Sequence, residues 1–377
     1  PAATFGASLG HRLLERGRIG PKLVAISKRG SWARESVLSN GDLTPACGSF
    51  RLMRATPAIP WTPTGWRAGR GNDVSTQLRG IYGIMVTPFD ERGELDEESL
   101  RSEVRFCAKA GSHGLVWPVS SSEFQMLSHD ERKRGAEAIM SELKVLPAAK
   151  RPRLVVGTAG VNARDAADLS AHAEKIGADA VIAMPPFATA NMPKGEIPAY
   201  YRRIAQATKL PIVVQNQGGP TGNVMSVELI VQMAREIPGI QYVKEESGIC
   251  THMISGLLAK GAGVLTGVFG GSGGYYLVQE MERGSCGMMS SCHLVDLQVV
   301  VWDLFHKGDV EGARKVLMQT LPVQILWLQL GLRIPKEVLK LRGVIKHAGT
   351  RRGDNVDEVD LKELRFWLEY LKPQLTI

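Results

Sequence analysis

The 377-residue chain has no run of about 18 uninterrupted apolar residues, so no membrane-spanning helix is expected. Cysteine is scarce: five residues, at 47, 107, 250, 286 and 292, with no C-x-x-C pair. An odd, scattered set of this kind argues against a disulfide framework and a zinc site, and fits a reducing compartment. Two phosphate-binding signatures are missing. No G-x-G-x-x-G follows the first apolar run, and no Gly-Lys-Ser/Thr follows the glycine-rich stretch Gly270-Gly-Ser-Gly-Gly274. Net charge is missing from most of the chain too. Residues 1–80 hold twelve of the 46 basic and four of the 38 acidic residues, which is the whole +8 excess; the rest carries 34 of each sign. A nucleic-acid-binding body loses its support.

What is present is an ordinary globular composition, 44% hydrophobic and 22% charged, in a chain long enough for a large core. Residues 1–79 stand apart as a basic leader, rich in Arg, Ser, Gly and Pro and poor in acids. That texture suits an organelle transit peptide, a disordered tail, or upstream sequence read through from a misplaced start. The expected location is the cytoplasm, or a mitochondrial or other organelle matrix if the leader is a transit peptide.

From Gly80 onward apolar runs alternate with amphipathic stretches at roughly 30-residue spacing. Predicted strands cover Ile81–Pro88, Gly114–Val119, Arg153–Gly157, Ala180–Ala183, Pro211–Gln215, Gly239–Lys244, Gly263–Thr266 and Cys286–Met289. Asp96-Glu-Glu-Ser-Leu100 and Ser128-His-Asp-Glu131 read as helix starts, the second a capping box. Eight such units predict a (β/α)8 TIM barrel over residues 80–293, ahead of a doubly wound open sheet. Residues 294–377 predict a C-terminal bundle of three or four helices, one over Val310–Leu330 and one over Asp357–Leu371.

Barrel folds place chemistry at the C-terminal ends of their strands. The sixth ends in Val243-Lys-Glu-Glu-Ser-Gly248, and a lysine drawn into an apolar cavity can attack a carbonyl to form a Schiff base. The bland alternative is a surface lysine paired with Glu245 or Glu246. Val119-Ser-Ser-Ser-Glu123 ends the second strand, either a carboxylate-binding hydroxyl cluster or a serine-rich turn. Gln215-Asn216 ends the fifth, Gly267 the seventh, and Met288-Met289 the eighth, where the methionines read as barrel packing with one of them lining the pocket. His293, just past the eighth strand, reads as a capping or solvated residue rather than one that approaches the site, and Asp96-Glu97-Glu98 as capping rather than paired catalytic acids.

In this order these features resemble the dihydrodipicolinate synthase / N-acetylneuraminate lyase family of class I, Schiff-base aldolases. The resemblance rests on Val86-Thr-Pro-Phe89, on Ser120-Ser-Ser-Glu123 in place of the family's G-T-T-G-E turn, on Asn216 and Thr221-Gly222, and on Val243-Lys-Glu-Glu-Ser-Gly248. It implies a cofactor-free barrel enzyme, usually a homotetramer, whose small-molecule substrate is pyruvate or another 2-keto acid, with no metal, nucleic-acid or membrane partner. It further implies that Lys244 is the Schiff-base lysine, and that Ser120 and Ser121 hold the keto acid's carboxylate and relay protons.

Departures point away from the synthase itself. Gln215 stands where the family has a proton-shuttling tyrosine, Pro220 where synthases have an arginine, Phe187 for an intersubunit tyrosine, and Val119 for a glycine. Tyr242, two residues before Lys244, is expected on the same face of the strand. It either fills a barrel layer or supplies part of the missing relay. The expected catalytic residues are therefore Lys244, Ser120 and Tyr242, and the expected substrate-binding residues are Ser121, Gln215, Gly267 and Met288. The expected function is a lyase, aldolase or dehydratase, with a turnover-impaired keto-acid binder as the alternative.

Overall fold

The computed structural model describes residues 77–193, 195–218, 223–353 and 355–377. Nearly all of the basic leader, together with Pro220 and the Thr221-Gly222 pair, lies outside the described residues.

Eight short strands meet edge to edge in chain order: β1 Gly80–Ile84, β2 Gly114–Trp117, β3 Arg153–Gly157, β4 Ala180–Ala183, β5 Ile212–Gln217, β6 Ile240–Glu246, β7 Gly267–Gly270 and β8 Gly287–Ser291. All neighbours are parallel and β8 pairs back with β1, so the sheet closes into the expected barrel. Closure leaves no free edge and buries both faces, which is why these strands read as continuous apolar runs. Side chains then sort by parity. Tyr82, Ile84, Val116, Val155, Ile182, Val213, Tyr242, Phe269 and Met289 fill the interior. Leu115, Trp117, Leu154, Val181, Val214, Val243, Val268 and Met288 face outward into the helix layer.

The outer layer is α1 Glu97–Lys109, α2 His129–Val145, α3 Ala163–Ile176, α4 Glu196–Ala207, α5 Val227–Glu236, α6 Cys250–Lys260, α7 Leu277–Glu282 and α8 Val295–His306. Their starts follow local chemistry. Asp96 accepts hydrogen bonds from the Glu98 and Ser99 amides at the head of α1, and Ser128 and Glu131 form the predicted capping box on α2. Fully burying each Leu, Ile or Val at these contacts is worth about 1.5–3 kcal/mol. Beyond the barrel lie α9 Val310–Leu330, α10 Arg333–Leu341 and α11 Glu358–Leu371, built on a small core of their own around Val323, Ile334, Val338 and Leu364.

The strand boundaries differ from the predicted spans: the first ends at Ile84 rather than Pro88, the second at Trp117 rather than Val119, and the fifth and sixth run on to Gln217 and Glu246. The seventh begins at Gly267 instead of ending there, because residues 261–265 fold into a turn off α6. The amides of Val264 and Leu265 both donate to the Gly261 carbonyl, with Gly263 at φ +78°. The eighth runs on to Ser291, two residues past its expected end.

Candidate active site

Lys244 sits on the inner face of β6, level with Gln215 of β5 and Phe269 of β7, near the C-terminal rim. It is 2% exposed, so the surface-lysine alternative fails. Its Nζ donates to Glu246 Oε2 at 2.8 Å. The same carboxylate oxygen accepts from Gln215 Nε2 at 2.9 Å, and its other oxygen from the Ser272 amide at 3.2 Å. Gln215 also donates to Gln217 Oε1 at 3.2 Å, and that oxygen accepts from Ser120 Oγ at 2.9 Å. A continuous polar chain thus runs Lys244–Glu246–Gln215–Gln217–Ser120 across the barrel mouth.

Glu246 and Gln217 were not among the expected site residues. Their signal was the period-two rule that selected Tyr242, applied in the other direction: 246 shares a face with 244, and 217 with 215. The residues between them point outward and hold the scaffold. Asn216 Nδ2 donates to Glu245 Oε2 at 2.8 Å and to the Met225 carbonyl at 3.0 Å, and Asn216 Oδ1 accepts from the Met225 amide at 2.9 Å.

The serine turn after β2 is a single turn of 3-10 helix, Ser120–Ser122. Ser120 and Ser121 are partly exposed at the mouth, while Ser122 is buried and donates to the Met85 carbonyl at 2.6 Å. The turn is held from behind by Glu123, whose backbone is left-handed at φ +55°. Its fully buried carboxylate accepts from Lys336 Nζ of α10, and from the Arg351 and Arg352 amides at 2.8 and 3.1 Å. Phe89 lies between the Lys336 ammonium (4.4 Å) and the Arg351 guanidinium (4.3 Å). The C-terminal helices therefore brace the first two loops of the barrel mouth.

Three expectations for the site need correction. The Tyr242 ring does fill the interior, but its hydroxyl points to the opposite end of the barrel and accepts from the Leu78 amide at 3.0 Å. Cys286 and Arg153, at the N-terminal ends of β8 and β3, are the titratable groups around it. Burial pushes this phenol up to about 12. Sharing a face with Lys244 did not bring it to the amine, because the two rows lie in different layers. Gly267, opposite Tyr242, belongs to that lower layer. A Cβ there would lie 2.7 Å from Cys286 Sγ, so the position is small for packing rather than for substrate. Met288 points into the helix layer and Met289 fills the interior, so the methionine chosen faces away from the pocket.

His293 is neither capping nor solvated. It is fully buried against Trp327, ring centroids 5.4 Å apart, and burial lowers it to about 3, leaving the ring neutral at pH 7. Phe187 packs edge-on against Phe124 at 4.9 Å. Among the described residues no cluster of three or more His, Cys, Asp or Glu is arranged to hold a metal ion, and no helix is long and apolar enough to cross a membrane.

This chain is similar to 4-hydroxy-tetrahydrodipicolinate synthase of Rhizobium meliloti, 37% identical over 171 residues that span 45% of the chain and 56% of that protein. It is also similar to L-2-keto-3-deoxyarabonate dehydratase of Azospirillum brasilense, 28% identical over 71% of the chain and 85% of that protein. Among solved structures, a dihydrodipicolinate synthase from Rhodopseudomonas palustris superposes with a TM-score of 0.71 at 25% identity, covering 78% of this chain and 98% of that one. A sequence model of the Dihydrodipicolinate synthetase family matches residues 77–358. With a closed barrel, a buried lysine on its sixth strand and a family match over most of its length, the chain belongs to the dihydrodipicolinate synthetase family.

Proposed function

We propose that the protein is a Schiff-base-forming lyase acting on pyruvate or another 2-keto acid. The observation that carries this reading is the pair Lys244–Glu246: an amine buried inside the barrel with a carboxylate 2.8 Å away to take its proton. Lys244, once deprotonated by Glu246, attacks the C2 carbonyl. Loss of water leaves a protonated imine that draws electrons from C3. Ser120 and Ser121 bind the C1 carboxylate from the rim, and Gln215 orients the imine through the amide it already turns toward Glu246.

Glu246 takes over the proton transfer that a strand-five tyrosine performs elsewhere in the family, since Gln215 has no proton to exchange at pH 7. In aldol cleavage it would accept the proton of the C4 hydroxyl. In dehydration it would remove a C3 proton and return it to the departing hydroxide. The dehydratase from Azospirillum brasilense, matched over 85% of its length, supports including dehydration of a 3-deoxy-2-keto acid in the proposal. Ring-forming synthase chemistry is left out of it because of Gln215.

Self-association into a tetramer is part of the same reading, supported by the exposed row Val359, Phe366 and Tyr370 on one face of α11. Sedimentation velocity should give a four-chain species; a monomer would end that part. The test of the chemistry is borohydride reduction in the presence of pyruvate and a panel of 2-keto acids, read by mass spectrometry. The expected adduct maps to Lys244 and disappears in Lys244→Ala. If wild-type protein traps no keto acid at all, the lyase reading is wrong.

A further inference from the structure

Glu280, on the short helix α7, is a second carboxyl group at this site that the proposed chemistry leaves unused. It is 0% exposed, and neither of its oxygens has a well-aligned hydrogen-bond partner among the described residues. It lies against the end of β7 where any side chain would force it to move: a Cβ on Gly270 would stand 1.8 Å from Glu280 Oε2 and 2.2 Å from its Cδ. The next residue repeats the arrangement for the catalytic pair. A Cβ on Gly271 would stand 2.5 Å from Glu246 Cγ and 2.6 Å from its Oε1. In the ladder, Phe269 is opposite Lys244 and Gly270 opposite Glu245. Two consecutive glycines at the rim of β7 thus admit two carboxyl groups, Glu246 from the barrel interior and Glu280 from the helix layer.

Resting on the Schiff-base reading, we infer that Glu280 is a positioning residue that keeps its proton and, by staying neutral, preserves Lys244–Glu246 as an exchangeable acid–base couple. An unpaired carboxylate at this depth would be costly. Burial, then the Glu246 charge, raise the Glu280 carboxyl to about 8, against the opposing pull of the Gly271 amide and Lys244. Among the described residues, Cys250 of α6 also faces it, and burial raises that thiol. Arg314 of α9 is engaged by Glu282 on the exposed side of α7 at 2.6 Å. Below that range Glu280 adds no charge beside the Lys244–Glu246 pair. Above it, a second carboxylate behind Glu246 opposes moving the lysine proton away from the amine, so proton transfer slows.

The isosteric Glu280→Gln variant keeps the packing and removes the titration. In wild-type enzyme kcat should fall about tenfold from its plateau to pH 9, as a single group near 8 requires. In Glu280→Gln the fall should be less than twofold, with borohydride trapping at neutral pH retained. A second measurement does not depend on that variant folding. Carboxyl-13C NMR of glutamate-labelled wild-type protein should show a resonance that titrates near pH 8 and moves to lower pH in Glu246→Gln because the raising charge is gone. An unchanged alkaline limb in Glu280→Gln, or no glutamate in that range that responds to Glu246→Gln, overturns the assignment. Loss of trapping by wild-type protein would instead fail the Schiff-base reading on which it rests.

Discussion

At the scale of single residues, charge and burial separate the groups that touch the amine from those that only share its strand. Glu246→Gln removes the acceptor for the lysine proton while keeping the hydrogen-bonding shape. We expect kcat to fall on the order of 10²–10⁴-fold, the range for loss of a general base, with the Lys244 adduct still trapped given longer incubation. Equal turnover in this variant would show that another group moves the protons. Tyr242→Phe is the contrasting case. Its hydroxyl satisfies the Leu78 amide at the far end of the barrel, so kcat and KM should be unchanged while thermal or denaturant unfolding shows a loss of about 1–3 kcal/mol from the stranded amide. A selective loss of turnover would bring the phenol back into the mechanism.

At the scale of elements, β7 explains why the same small residue serves two purposes along one strand. Gly267, at its N-terminal end, makes room for Cys286 in the barrel floor, and Gly271, just past its C-terminal end, makes room for Glu246. Gly267→Ala should lower the melting temperature with KM unaltered. Gly271→Ala should displace Glu246 and lower kcat in a protein that still folds, measured by steady-state kinetics beside circular dichroism. If both variants lose only stability, the rim glycine has no part in placing the carboxylate. The predicted strand boundaries failed at this same element. Val264 and Leu265 look like strand residues by composition, but Gly263 and the Gly261 carbonyl draw them into a turn against the helix layer. Composition does not distinguish an apolar turn from an apolar strand.

At the scale of the whole molecule, the C-terminal helices matter to the site because the serine turn leans on them. The Lys336–Glu123 pair is fully buried on both sides. Lys336→Met leaves a carboxylate without its cation, and we expect a cost of about 3–5 kcal/mol in denaturant unfolding and a raised KM for the keto acid. An unchanged KM would separate the brace from the carboxylate site. The Arg351–Glu131 pair adds a pH dependence. The guanidinium hydrogen bond holds the Glu131 carboxyl down at about 2. A depressed carboxyl stabilises the fold above its unfolded value near 4.5 and loses that contribution as pH falls toward 2. Arg351→Gln should therefore lower stability at neutral pH and flatten this acid limb, and an acid denaturation curve parallel to wild type would exclude the linkage.

The eight-fold alternation, the caps at Asp96 and Ser128, the helix over Val310–Leu330 and the lysine on the sixth strand were all legible in the chain itself, because each depends on neighbours within a few residues. So was the glutamine, Gln215, near the end of the fifth strand. Which end of the barrel a side chain reaches was not legible. Tyr242, Lys244 and Glu246 obey one parity, yet tilt and stagger put the first on the floor beside Leu78 and the other two at the rim. Nor could periodicity reveal that Glu280, 36 positions along from Lys244 on a separate helix, would pack behind β7 against Gly270. Side-chain alternation is a local property of the strand and is written in the sequence. Depth along the barrel axis, and the burial that sets proton affinity, exist only once all eight strands have closed.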